Sequence, residues 1–388
     1  MHHGPRATAN YHALAAMNPN DRAASSEGAP WTRRVDRLLV RAVREVRLLG
    51  AVTPVGVDGE RARIVAAFEA DGVTEPRWEY ARSQRHEARE LLAATERELR
   101  GAEPGALAEA YAARIAELDL ETDLADAAGS EGFAALARQR FATRDSAAVT
   151  AASELAQTWI AARPTTSESA TIRSDAPDPR SLLSRMRAAV GERRLPFSVV
   201  AHDGLAPLAA TGERTILIAT KREVTDEDVA RTVLHEIDGH ALPRRRAESQ
   251  TIGLFGIGTA RGADDQEGYA LLLEERGGFA SVTRRRQLAA RHIAVEAMLR
   301  GATFVDATRA LIVDRGIPAR DAVLAAERAF RGGDGVRAGL GRERVYIESL
   351  LRVRARLAAR PEDEAIVASG QVAIDAVDAV RAFVSSVS

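Results

Sequence analysis

Apolar residues recur at steps of three and four through most of the chain. From Trp31 onward, Val35, Leu38, Leu39, Ala42, Val43 and Val46 mark one face of an amphipathic helix. A turn around Pro54 to Gly59 precedes a second helix through Ile64 and Phe68. Helical patterns rich in Ala, Leu, Glu and Arg continue over 81–100, 105–118 and 130–162. The pattern breaks at Arg163 to Arg180, where Pro164, Pro177 and Pro179 gather with Ser and Thr, as at a loop or subdomain boundary. A short helix is predicted from Ser181 to Glu192. Two strand-like runs follow, Phe197 to Val200 and Thr215 to Ala219, with a loop containing Gly204, Pro207 and Gly212 between them. Beyond Gly278 the period is helical again, interrupted by a glycine-rich segment from Arg331 to Gly341. The expected class is α+β, predominantly helical, with a small sheet. Residues 1–30 read as a flexible tail, 31–162 as a helical region, and 163–388 as the part that holds the sheet and the chemistry.

Composition narrows this picture. The 388 residues are 46% hydrophobic and 28% charged, which is ample material for a core. Lys and Arg total 54 against 55 Asp and Glu, a net charge of −1, so nothing favours a nucleic-acid or membrane-surface partner. There is no cysteine, which excludes disulfides, thiolate metal sites and a cysteine nucleophile. A transition metal would have to be held by His, Asp or Glu. The first thirty residues contain no apolar signal-peptide core, and no run approaches the roughly eighteen apolar residues of a membrane span, so a cytoplasmic location is expected.

One segment carries chemistry. Thr225 with Asp228 resembles a capping box, and Asp226, Glu227 and Asp228 suit the positive end of a helix. Val229, Val233 and Ile237 then form a buried stripe leading into His235-Glu236-Ile237-Asp238-Gly239-His240. Zinc peptidases commonly place two histidines four apart on one helix face, with a glutamate beside the first. Here the spacing is five, which rotates the rings apart by roughly 140° on a regular helix. Gly239 and Pro243 both favour ending or unwinding the helix, and an unwound or π-bulged turn swings His240 back toward His235. The competing arrangement is a structural hydrogen bond between Glu236 and His240, which are four apart. Downstream, Asp264 to Leu273 opens a second helix with acidic residues in its first turn. Glu267 there either complements the helix dipole or provides a third ligand from a separate helix. Gly268 beside it suggests close approach to the histidine helix.

These elements in order resemble the DUF1704 family, which includes microtubule-associated tyrosine carboxypeptidases and bacterial "QEGLA motif" proteins. Gln266-Glu267-Gly268-Tyr269-Ala270 resembles the element that gives the latter their name, and His235 to His240 resembles the family's His-Glu-x-x-x-His. Weaker likenesses are Glu75 to Tyr80, Phe330-Arg331-Gly332-Gly333 and Arg344-Val345-Tyr346. The sequence departs from the family at Asp238-Gly239, where Gly-Thr is usual, and at Leu340 to Glu343.

The resemblance implies a zincin-like metallopeptidase core in which His235, His240 and Glu267 bind one zinc, with Glu236 as the base. Tyr346 is the candidate oxyanion donor. A carboxypeptidase must also bind a free C-terminal carboxylate of a peptide or protein, for which Arg261 and Arg331 are the candidates; Arg244 to Arg246 read as a solvated face. A zinc endopeptidase, a catalytically silent metal-binding protein and a metal-free helical interaction protein are the alternatives. Composition identifies neither a particular substrate nor an oligomeric state.

Overall fold

The computed structural model describes residues 30–385 except 83, 144 and 164–169. The expected tail, and the part of the proline-rich boundary around Pro164, lie outside the described residues. The N-terminal part is helical: α1 (Pro30–Val46), α2 (Val57–Glu69), α3 (His86–Leu99), α4 (Ala106–Asp126), α5 (Phe133–Arg140) and α6 (Ser146–Ala161). The continuous helix expected over 130–162 is in fact two. Asp145 caps the second by accepting from the Ala148 amide, which fixes a new start after the turn that follows α5. Val35, Leu39, Ala42 and Val46 of α1 are buried, as their spacing predicts.

Among the described residues five short strands follow, three more than the sequence pattern suggests: β1 (Thr171–Arg173), β2 (Ser198–His202), β3 (Ala209–Thr211), β4 (Thr215–Ala219) and β5 (Glu223–Thr225). Helix α7 (Leu182–Glu192) separates β1 from β2. β4 is the middle strand of a three-stranded sheet, parallel to β2 and antiparallel to β3, while β1 pairs antiparallel with β5. Ile216 and Ile218 of β4 alternate inward, the period of a half-buried strand. The sequence pattern predicts a loop at β3, because two alanines and a threonine between glycines carry almost no strand signal.

Helix α8 (Asp226–Leu234) leads into a π-helical segment, His235–Ala241, and then into α9 (Leu242–Ala247). The C-terminal part comprises α10 (Gly262–Arg276), α11 (Val282–Leu299), α12 (Phe304–Val313), α13 (Ala319–Phe330) and α14 (Val345–Ala359), with shorter turns between and after them. Two apolar clusters hold the chain together. The smaller joins Leu182 and Met186 of α7, Ile216 and Ile218 of β4, Val229 of α8, and Ile237 and Ala241 of the π segment. The larger runs from α1 through the C-terminal helices. The motif is therefore anchored on its sheet side by the small core. No described helix is long and apolar enough to cross a membrane.

Candidate metal centre

The motif helix begins as its sequence predicts. Thr225 accepts from the Asp228 amide at 3.1 Å, and the Asp228 carboxylate accepts from the Thr225 amide at 3.2 Å. Nine residues later the ladder widens. In the π segment each turn closes on the residue five along, so His235 and His240, offset on a regular helix, come onto one side. Their Nε2 atoms stand 3.2 Å apart. The expected bulge is present, but the helix does not end there. It resumes as α9, with Pro243 in its first turn. Proline supplies no N–H to the carbonyl four residues back, that of Gly239, and so weakens the regular ladder where it widens. The alternative Glu236–His240 pairing is not the arrangement seen. His240 Nδ1 donates to Gln266 Oε1 at 3.3 Å, and Glu236 Oε2 accepts from Thr211 Oγ1 on β3 at 2.7 Å.

Gly239 explains how the second helix comes close enough. A Cβ there would lie 2.5 Å from Ala270 Cβ and 3.1 Å from Ala270 Cα, on α10. The close approach of the two helices therefore depends on Gly239, not on Gly268. A Cβ on Gly268 would strike the backbone of α14, 2.3 Å from the Ser349 carbonyl carbon. This corrects the expected partner of Gly268: it brings α10 against the C-terminal helix. Between them the two glycines pin α10 from both sides.

Glu267 thereby faces the histidines, with Oε2 3.6 Å from His235 Nε2 and 3.8 Å from His240 Nε2. His235, His240 and Glu267 form a group able to hold a metal ion. Each has an outer partner. His235 Nδ1 donates to Glu274 Oε1 at 2.7 Å, and Glu274 is clamped by Arg284 through two 2.8 Å bonds. Gln266 Oε1, the acceptor for His240, also accepts from Gln371 at 3.2 Å. Arg342 Nη2 donates to Glu267 Oε1 at 3.1 Å. With each Nδ1–H committed outward, the neutral rings turn two Nε2 lone pairs and a carboxylate oxygen toward one point. Without a cation a proton must share that space. Burial opposes charge on His235, yet hydrogen bonding to Glu267 and Glu274 outweighs it and pushes the imidazole up to about 9. Burial, with His235 beside it, pushes His240 down. Burial alone would raise Glu267, but His235, His240 and Arg342 hold it well below the usual carboxylate range.

Tyr346, on the first turn of α14, is buried, and its hydroxyl accepts from Arg328 at 3.4 Å. Its ring lies under the guanidiniums of Arg291 and Arg342, 6.0 and 5.8 Å from the centroid. Burial, reinforced by the charge of Glu267, pushes the phenol up, so it retains its proton. Arg331 joins the same group through Glu343, at 3.4 Å. Arg261 is placed differently. It precedes α10 in a left-handed conformation, its amide donates to both oxygens of Glu117, and its guanidinium donates to the Ala142 carbonyl. Asp238, one of the two residues at which the motif departs from the family's pattern, pairs with Arg193. Arg244, expected on a solvated face, is partly buried, and the charge of Glu236 reaches it.

The outlying motifs also meet. The Tyr80 hydroxyl donates to the Gly333 carbonyl at 2.8 Å and accepts from the Gly332 amide at 2.9 Å, so the first element clamps the turn that follows Arg331. Gly332 has φ +83°, and a Cβ there would collide with Phe133. Sequence reasoning missed Glu274, Gln266, Arg342 and Thr211 as supports. Two of them left a signal: Gln266 lies inside the second motif, and Glu274 lies seven residues, two helical turns, after Glu267.

The profile of the microtubule-associated tyrosine carboxypeptidases matches residues 66–386. The chain belongs to that family. The match begins inside α2 and takes in the sheet, the motif, the donor triad, the arginines and Tyr346. Membership brings a carboxypeptidase-like peptidase activity. No curated protein matches the chain.

Proposed function

We propose that the chain is a zinc-dependent carboxypeptidase, binding one zinc and removing a residue from the free C-terminus of a peptide or protein. The observation that carries this is the donor triangle. Its edges are 3.2, 3.6 and 3.8 Å. Donors bound to one tetrahedral zinc at about 2.0–2.2 Å stand about 3.3–3.6 Å apart. Two imidazoles and one carboxylate from a second helix also form the three-ligand set of open catalytic sites, and the outer partners match the support such ligands receive. The core is zincin-like in this reading, with the sheet lying behind the motif helix.

When bound, zinc polarises a carbonyl and acidifies water in the remaining position. The protein's own groups do the rest. Glu236 is held by Thr211 through Oε2, which leaves Oε1 to accept a proton from the attacking water and pass it to the departing amine. Tyr346, protonated, donates toward the carbonyl oxygen as that atom gains charge. The surrounding arginines favour a substrate that ends in a carboxylate.

The test is Glu236→Gln, which keeps size and hydrogen-bonding capacity. It should retain zinc and lose about 10²- to 10⁴-fold in peptide hydrolysis. A peptide library should be cleaved with free but not amidated C-termini. Equal cleavage by wild type and variant would refute the role of Glu236, and cleavage of both libraries would show an endopeptidase.

A further inference from the structure

The two imidazoles of the triad are oriented by acceptors of different kinds. Glu274, which holds His235, is a carboxylate clamped by Arg284; it can only accept, so His235 presents Nδ1–H to it. Gln266, which holds His240, is a neutral amide with an acceptor at one end and a donor at the other. Turned one way, its Oε1 keeps the His240 proton on Nδ1 and leaves the Nε2 lone pair free. Turned the other way, its N–H draws the proton to Nε2, the atom that faces His235 and Glu267. Whatever fixes this amide decides whether His240 can serve as a ligand.

Two adjacent residues near the C-terminus fix it. The Gly370 carbonyl, which can only accept, takes Gln266 Nε2 at 3.4 Å, and Gln371 Nε2 donates to Gln266 Oε1 at 3.2 Å. A reversed amide would set two oxygens against each other at the first contact and two N–H groups at the second. Gln266 is buried, so water does not readily replace a lost partner. The segment that carries the two residues is itself locked. The Gln371 amide donates to the Phe255 carbonyl and its own carbonyl accepts from the Thr259 amide, both at 2.9 Å. Thr259 Oγ1 accepts from the Ala373 amide at 2.8 Å, and Asp265, beside Gln266, accepts from the Ile374 amide at 2.9 Å. Glycine permits the close fit: a Cβ on Gly370 would lie 2.3 Å from the Phe255 carbonyl oxygen, and one on Gly262 would lie 2.0 Å from that of Gln371.

We infer that Gln371 is a positioning residue of the metal centre: with the Gly370 carbonyl it orients the Gln266 amide, and that amide holds His240 in the tautomer whose Nε2 can bind a metal. The use of that tautomer rests on the zinc reading, whereas the orientation itself does not. Gln371 lies outside every motif that marks the site, 105 residues beyond Gln266. Such support matters because the partner on the far nitrogen sets which ring nitrogen of a histidine is free to ligate.

Metal-free protein with nitrogen-15 in its histidine rings provides a test independent of zinc and turnover. In mildly alkaline buffer the wild-type His240 ring, assigned by its loss in His240→Ala, should show a pyrrole-like shift at Nδ1 and a pyridine-like shift at Nε2. A wild-type ring with its proton on Nε2 overturns the inference before any variant is made. Gln371→Met keeps the length of the side chain and all of its backbone bonds but removes the donor, so the two shifts should move toward each other as tautomers mix. Zinc affinity, read by competition with a chromogenic chelator, should fall about tenfold, the lower end of the range for an outer partner of a ligand. In a Gln266→Met background the same substitution should cost nothing further, because Gln371 acts through that amide. A residue that merely stabilises the fold would leave the ring shifts alone and add its cost in both backgrounds. The inference is therefore overturned if Gln371→Met keeps the wild-type ring shifts, or if its zinc loss adds to that of Gln266→Met. A wild type with the expected tautomer, mixed by Gln371→Met, that takes up no zinc would sink the metallopeptidase reading and leave the role of Gln371 toward Gln266 standing.

Discussion

Gly239→Ala puts the geometry of the centre to a direct test. The added Cβ would sit 2.5 Å from Ala270 Cβ and 3.1 Å from Ala270 Cα. Carbon atoms prefer separations of about 3.5–4.0 Å, so the two helices must part by about 1 Å. Neither contact atom belongs to a flexible side chain, so the strain has nowhere to go except the backbones. Overpacking of this kind costs about 1–3 kcal/mol. Replacing glycine inside a helix returns about 0.5–1 kcal/mol, leaving a net loss of about 1–2 kcal/mol. The larger consequence is for the metal. Ala270 lies one turn after Glu267, so displacing it moves Oε2 away from both imidazoles. Metal bonds tolerate about 0.2 Å, and a shift several times that size should weaken zinc at least about tenfold. Ala270→Gly removes the carbon that Gly239→Ala would strike. The double variant should recover most of the zinc affinity, with a coupling of at least about 1 kcal/mol. Competition against a chromogenic chelator measures the affinity, and urea unfolding measures the stability. If Gly239→Ala binds zinc as tightly as wild type, or if the two substitutions simply add, the close approach does not set the ligand geometry.

Other perturbations separate the parts of the site. His240→Ala should abolish zinc uptake by elemental analysis, whereas His292→Ala, buried beside Glu296 on α11, should leave it intact; equal losses would assign the wrong histidine. Glu274→Gln removes the anionic acceptor of His235 Nδ1–H and should weaken zinc by about 10- to 100-fold, read by chelator competition, with unchanged affinity counting against its role. Glu296 concerns stability alone. The close contact of His292 Nε2, 3.5 Å away, chiefly, and the hydrogen bond from Ser153 hold its carboxyl down at about 2 against the opposing effect of burial. Its folded value is thus depressed, so its contribution is present above about pH 4.5 and lost as pH falls through about 2. The stability difference between wild type and Glu296→Gln, from urea unfolding, should therefore shrink between pH 5 and 2, and a pH-independent difference would refute the linkage.

The sequence by itself determined what depends on neighbours along the chain. The amphipathic face of α1, the capping box at Thr225, strand β4 and the helix that leads into the motif all follow from spacing and local chemistry. So does the need for a widened turn, because five residues cannot bring two imidazoles together on a regular helix. His235, His240 and Glu267 were legible as a group because each sits in a short motif of unusual composition. Tertiary structure decided what depends on contacts between distant segments. Which helix Gly268 packs against could not be read, since glycine marks a close approach without naming the partner. Thr211 emerged as the holder of Glu236 only when β3 paired with β4 and brought that strand beside the π segment. Arg291, Arg328, Arg331 and Arg342 come from three separate stretches, and in a chain so rich in arginine no local pattern singles them out. Their pairing exists only once α11, α13 and the turn before α14 meet at Glu343, because matching charges is a property of proximity in space and not of order in sequence.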